Sequence, residues 1–346
     1  MKYKVVVFGT KESTAHIIKK FKKDIDLVVT INNKNSYNIS GKGDVEGTAK
    51  SNNIECFTTD DYTLKSCTEF FQNNEFEIGI SYGWQRLIPQ SILDEFKQGV
   101  FGTHASPLGL PYGKGRSPLN WSIIRDFKQV YFNVFKYVAK ADSGEIFSTT
   151  KFEINDWDTI ESIKIKDLIV TEREISRLIQ DFKENRITLF KQKDNIEETF
   201  FPKRSPKDGK INLWSTPREI YNLVRGVTRP FPGAFLMFGD YKVTIWDAVP
   251  FDNQLNFKEM VNPEVANEVV AQILTRDGSQ PIFRAMEFTT GEGEEEKVVK
   301  PDPNAVADFL ENMHLSLEIS RAHRFGVLGL VSPFEILSRV RRSDIK

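Results

Sequence analysis

Short uninterrupted apolar runs alternate with stretches at helical spacing over the first half of the chain. Lys4 to Gly9 (KVVVFG) is an apolar run closed by glycine, the pattern of a strand buried on both faces. Lys11 to Phe21 then carries apolar residues at helical spacing, with Ser13 or Thr14 as the expected cap. Asp26 to Ile31 (DLVVTI) predicts a second strand, and the polar stretch 32–47 a loop. Phe76 to Ser81 predicts a third strand, Pro89 to Phe96 a helix, and Gly99 to Thr103 the start of a fourth strand. Val130 to Val138 is a further apolar strand. Residues 160–184 form a long amphipathic helix whose stripe is Leu168, Ile169, Ile175, Leu178, Ile179 and Phe182. Strands alternating with helices imply an α/β domain with a parallel sheet covered on both faces. Ligands of such sheets bind at the carboxyl ends of the strands.

The pattern changes after Gln192. Lys203 to Gly209 (KRSPKDG) is basic, rich in turn formers and without periodicity, as a linker would be. Val243–Val249, Val269–Leu274 and Ile282–Phe288 are β-like segments separated by turns, consistent with a small barrel. Gly291 to Lys297 (GEGEEEK) reads as a solvated acidic loop, and the segment from Asn304 to Lys346 holds helical patches. Four regions are therefore expected: 1–192, a linker over 193–212, 213–290, and an acidic loop with a helical tail over 291–346.

The formal net charge is −1. A chain built as a whole to neutralise phosphate backbones is excluded, though a local basic patch is not. Cys56 and Cys67 lack metal-site spacing and read as free thiols. No stretch reaches the roughly 20 apolar residues of a membrane span, and the first residues do not form a signal peptide. A soluble, cytoplasmic protein is expected.

The stretch richest in chemistry is Phe101 to Leu108 (FGTHASPL). His104 sits where a strand gives way to a loop rich in glycine and proline, and imidazole is the side chain best suited to move protons near neutral pH. The loop continues through Lys114 and Arg116 to Trp121, which suits an anionic ligand. Asp142, 38 positions after His104, follows an apolar strand and opens an Asp-Ser-Gly turn. A carboxylate beside a histidine can orient the ring and support its charge. Taken singly, each has a plainer reading: a hydrogen-bonded structural histidine, and an ordinary turn. Gly9 to Ser13 matches neither GxGxxG nor GxxxxGK[ST] and reads as a strand-to-helix turn.

Together these segments resemble the folate-dependent formyltransferases, a family that includes methionyl-tRNA formyltransferase, the sugar-nucleotide N-formyltransferases and, more distantly, glycinamide ribonucleotide formyltransferase. His104 and Ser106 match the family's histidine and the serine after it. Asp142, Gly144 and Ile146 match its Asp-x-Gly-x-Ile. Arg116 to Trp121 (RSPLNW) resembles the Arg-Ala-Pro-Leu-Asn-Trp of the aminoarabinose-pathway formyltransferase. Ser81 to Pro89 resembles the segment whose backbone lines the pterin pocket, Lys203 to Ile211 the family linker, and Trp214 with Arg225 to Phe235 the opening of the second domain. The resemblance covers about residues 1–290.

It implies a Rossmann-like domain followed by an OB-like β-barrel. It implies N10-formyltetrahydrofolate as co-substrate, no metal, and an uncharged primary amine as acceptor, on a sugar nucleotide in preference to tRNA. His104 and Asp142 would be catalytic. Trp84, Gln85, Arg86, Leu87, Ile88, Ala139, Lys140 and Ala141 would contact the folate. Lys114, Arg116 and Arg204 would contact a diphosphate. A homodimer is compatible with the family. One position departs: the asparagine two before the histidine, expected to donate a hydrogen bond to the formyl oxygen, is Gly102. That departure keeps open a non-catalytic folate-binding homologue, and a formyltetrahydrofolate hydrolase, which would use the same His and Asp with water as acceptor, is a further alternative.

Overall fold

The computed structural model describes residues 2–34, 39, 41–193, 196–212, 215–238, 241–250, 281–290 and 297–298. The chain divides into two compact units. One comprises Met1–Leu119, Lys128–Asn155 and Ser162–Lys203; the other Asn120–Phe127, Asp156–Glu161 and Arg204–Lys346.

The first unit opens with β1 (Lys2–Phe8), α1 (Glu12–Lys20), β2 (Leu27–Ile31), α2 (Val45–Ser51) and β3 (Glu55–Thr59). It continues through α3 (Thr68–Gln72), β4 (Glu75–Ser81), α4 (Gln90–Leu93), β5 (Phe96–Ser106), β6 (Lys114–Gly115) and α5 (Pro118–Ile124), the last spanning the division between units. β7 (Gln129–Lys136), β8 (Ile146–Glu153), α6 (Ile160–Lys183) and β9 (Phe200–Phe201) follow. Seven strands form one sheet in the order β3-β2-β1-β4-β5-β7-β8. The first five run parallel, while β7 and β8 are antiparallel additions. The sheet is thus parallel-rich rather than wholly parallel. β1 is the strand from which the order departs in both directions, so its carboxyl end and that of β4 flank the switch point where a crevice forms.

Several local expectations are corrected. The loop predicted over 32–47 ends early, because the Asp44 carboxylate accepts from Gly47 N–H and caps α2; residues 35–38 and 40 lie outside the described set. α4 stops at Leu93, since Phe96 already belongs to β5. The cap of α1 is Lys11, and Thr14 turns inward, its hydroxyl donating to Tyr82 O at 2.6 Å. In α6, Ile175, Leu178 and Ile179 are buried but Ile169 is exposed. At about 100° per residue it falls some 120° from the stripe centred on Ile175.

Between the sheet and its helices lies a core rich in aromatics: Phe8, Phe71, Phe76 and Phe96 pack ring on ring, with Tyr62 and Trp84 beside them. Each such side chain contributes about 1.5–3 kcal/mol by leaving water, which fixes the strands whose ends carry the site.

In the second unit a short 3-10 turn (Pro206–Gly209) occupies the predicted linker, and Ile211 N–H then donates to Phe235 O. α7 (Pro217–Val227) begins with a capping box: Glu219 N–H donates to the Thr216 hydroxyl, and Thr216 N–H to the Glu219 carboxylate. β10 (Ala234–Phe238), β11 (Tyr241–Pro250), β12 (Pro281–Thr290) and β13 (Lys297–Val298) form an antiparallel sheet in chain order. These strands include two of the three β-like segments. The third, 269–274, lies outside the described residues, as do Trp214 and the tail from 304.

Candidate functional site

β5 delivers His104 to the sheet end two residues before the strand stops, on the face it shares with Gly102. The ring is 7 % exposed. Its Nε2 lies 2.8 Å from Gly113 O. A carbonyl can only accept, so Nε2 carries a hydrogen and the other nitrogen is left for chemistry. That nitrogen, Nδ1, lies 3.7 Å from Asp142 Oδ2, near enough for charge but long for a direct hydrogen bond. The backbone of the His104 position is held from β7: Asn133, its register partner, donates to His104 O at 3.3 Å, and Thr149 donates to Asn133 Oδ1 at 2.8 Å.

Asp142 itself adopts a left-handed conformation (φ 53°). The turn it opens is tight: a side chain on Gly144 would overlap the Lys136 carbonyl. Gln192 donates to both Asp142 O (2.9 Å) and Gly144 O (2.8 Å), and Gly115 N–H points at Asp142 Oδ2 at 3.3 Å. The turn reading and the functional reading of Asp142 are therefore compatible, because the turn is what aims the carboxylate. Lys114 belongs to the same support. It is 1 % exposed, and its ammonium donates to Ser143 Oγ and to Glu198 Oε1, both at 2.7 Å. Lys114 and Lys140 together hold the Glu198 carboxyl below its ordinary range.

The loop after β4 starts at Gly83 (φ 81°), whose carbonyl accepts from Thr10 Oγ1 at 3.0 Å. Trp84 and Ile88 turn into the core, whereas Leu87 is 64 % exposed. Val138, just past β7, is 42 % exposed. Gln85 N–H donates to the Tyr62 hydroxyl, and the Arg86 guanidinium lies over the Tyr62 ring. Residues 86–88 and 138–141 stand outside every strand ladder. Exposed apolar side chains beside backbone outside the strand ladders fit a flat heterocycle with a polar edge.

Among known proteins, residues 203–283 match the family described as formyl transferase, C-terminal domain. The chain is similar in fold to methionyl-tRNA formyltransferase from Clostridium thermocellum: 22 % identity, 71 % of this chain and 92 % of that one, TM-score 0.52. It is similar to an N-formyltransferase from Helicobacter canadensis, solved with folinic acid and dTDP-3-aminofucose: 19 % identity, 85 % and 97 % coverage, TM-score 0.55. It also resembles HypX from Aquifex aeolicus in complex with tetrahydrofolic acid, at 13 % identity, 89 % and 48 % coverage and TM-score 0.53. Residues 203–283 thus match a formyl transferase C-terminal domain, and the chain shares the fold of these formyltransferases. At these identities the structural likenesses carry the fold and leave the acceptor open.

The fold brings His104 and Asp142 together and sets Trp84–Ile88 and Ala139–Ala141 on loops of the same unit. Arg116 is exposed in that unit too. Arg204 lies in the second unit, where its guanidinium covers the Trp121 ring and donates to Asp208 O at 2.7 Å. Sequence reasoning missed two groups. One is Lys11 with Lys164 and Asp167. Burial, then repulsion by Lys164, pushes the Lys11 ammonium down to about 8, with Asp167 opposing and Arg116 adding to the fall. Burial pushes the Asp167 carboxyl up to about 6, against the Tyr82 hydroxyl and the two lysines. The other is Tyr137, whose phenol lies against Gly102. A glycine inside a strand signals close approach by another group, and that signal was present. Among the described residues no His, Cys, Asp and Glu cluster forms a metal site, and no helix is long and apolar enough to cross a membrane.

Proposed function

We propose that the enzyme moves the formyl group of N10-formyltetrahydrofolate to a primary amine on a nucleotide-linked sugar. The observation that carries this is the histidine at the end of β5, its Nε2 committed to Gly113 O and its Nδ1 turned toward Asp142. The folate supplies an electrophilic formyl carbon, which bonds to the amine nitrogen as its bond to N10 breaks. The amine must arrive uncharged, since its lone pair forms the new bond. His104 takes up the proton that the amine sheds, Asp142 stabilises the charge so gained, and the proton passes to the leaving nitrogen. The 3.7 Å gap between the two side chains leaves the carboxylate able to relay through water.

Trp84, Gln85, Arg86, Leu87 and Ile88, with Ala139, Lys140 and Ala141, would line the folate, mostly through backbone groups. For the acceptor's phosphates we favour Arg116 joined by Lys11 and Lys164, a cluster whose mutual repulsion an anion would relieve. Lys114 instead serves the Asp142 turn, its ammonium already engaged by Ser143 and Glu198. Residues 1–192 would be the catalytic domain, 193–212 the linker and 213–290 an OB-like barrel. A panel of amines incubated with formyl-folate and read by mass spectrometry tests the reading. Formylation of amino-sugar nucleotides supports it, formylation of charged initiator tRNA replaces the acceptor, and formate release without any amine replaces transfer with hydrolysis.

A further inference from the structure

Gly102 sits in the interior of β5, on the face of His104, with Ser81 as its register partner on β4 and Phe135 on β7. Register partners share a face, and the next residue on that face of the β7 chain is Tyr137. Its backbone N–H donates to Val100 O at 2.7 Å, and its ring packs on Phe135 and against the aromatic core. A Cβ built on Gly102 would overlap the edge of this ring, and the phenol oxygen is among the atoms it would meet. The phenol therefore fills the volume that a side chain at 102 would take. Beside it, Ser81 is 3 % exposed, and its hydroxyl faces the Tyr137 phenol.

We propose that the Tyr137 hydroxyl is the donor that hydrogen-bonds the formyl oxygen of the bound folate, and that position 102 is glycine because the phenol needs its space. This inference rests on the folate reading above. Charge develops on the formyl oxygen as the amine attacks, and a fixed donor aimed at it lowers that barrier. No bond to Tyr137 forms or breaks: the O–H donates throughout, and Ser81 Oγ can donate to the phenol oxygen and so aim the hydrogen outward. Burial, with a smaller contribution from the Asp142 charge, pushes the phenol above the ordinary tyrosine range, against the pull of Ser81. The group therefore remains a donor through the neutral range.

The test uses the full chain and a stable 10-formyl folate analogue carrying 13C at the formyl carbon. Isotope-edited infrared spectra are recorded of the analogue bound to the parent and to Tyr137→Phe, which keeps the ring. The carbonyl stretch should lie lower in frequency in the parent, with the difference lost in the variant and analogue affinity within about threefold. Turnover of the variant should fall by about 10²–10³, mostly in kcat. Identical stretches in the two proteins overturn the proposal, as does failure of the parent to bind the analogue. A shift that is present while no amine is formylated sinks the transfer reading and leaves the hydrogen bond standing. Replacing Tyr137 with 3,5-difluorotyrosine, which ionises at lower pH, should move the alkaline limb of the rate profile down; a packing residue would leave it in place.

Discussion

His104 and Asp142 are held by the backbone, whereas Lys11, Lys164 and Asp167 are held by one another's charges. In the first group, carbonyls and N–H groups of Gly113, Asp142, Gly144 and Gly115 carry the positioning contacts, and the supporting side chains Asn133, Gln192 and Lys114 lie behind them. In the second, like charges stand close under partial burial and both Lys11 and Asp167 leave their ordinary ranges. The first arrangement suits proton transfer, which demands fixed geometry. The second suits a response to a bound anion, which would relieve the repulsion between the two ammonium groups. Substitutions should therefore act on kcat in one region and on the acceptor's KM in the other.

The largest effect expected is at His104. His104→Ala should lower transfer by about 10³ or more, with the fold intact by circular dichroism and folate affinity retained. Activity within tenfold of the parent would move the chemistry elsewhere.

Next comes the pairing of Gly102 with Tyr137. Gly102→Asn places a side chain where the phenol already lies, so kcat should fall by about 10². Adding Tyr137→Ala gives the asparagine amide room and should recover at least tenfold of that loss. A double variant no better than the single one breaks the claim that the two positions share one volume.

Asp142→Asn keeps shape and turn but removes the charge facing Nδ1. A fall of about 10–10² in kcat is expected, with folate binding nearly unchanged. Equal losses in rate and affinity would reduce Asp142 to its turn.

The smallest effects belong to the charged group. Lys11→Met should raise the acceptor's apparent KM by about tenfold and leave kcat close to the parent. Because the ammonium titrates near 8, it is charged below that pH and neutral above it. Acceptor KM should therefore climb as pH rises through about 8. Asp167→Asn removes the charge that supports Lys11 and should move this limb lower. For stability the sign is opposite. A lysine with its pKa depressed in the fold is protonated more readily in the unfolded chain, so its share of stability rises with pH between about 8 and 10.5. A KM that does not respond to pH in that range would remove Lys11 from the acceptor site.

What could be read from sequence followed how local each signal was. β1, β2, β4 and α6 announce themselves through runs or stripes only a few residues long. β3 escaped because Phe57 is flanked by polar residues and most of the strand is half-buried at the sheet edge. β8 escaped for a similar reason, alternating between half-buried and exposed over its second half at the opposite edge. His104 and Asp142 were visible as motif residues, but the support that Lys114 gives the Asp142 turn was not. A lysine in a glycine loop looks like a ligand contact until Glu198, far along the chain, is seen to meet it. Tyr137 was hidden in the same way: it follows directly on β7, and its overlap with Gly102 depends on the register of β5 and β7.

The central claim is formyl transfer dependent on the pair at the end of β5. Its most direct test is single-turnover incubation of excess enzyme with 13C-formyl-labelled folate and a panel of amino-sugar nucleotides, comparing parent and His104→Ala by mass spectrometry. The account predicts label in the amine of at least one acceptor with the parent, and none above background with the variant over the same time. Label that reaches the amine equally in both, or appears only as formate with the parent, would contradict it.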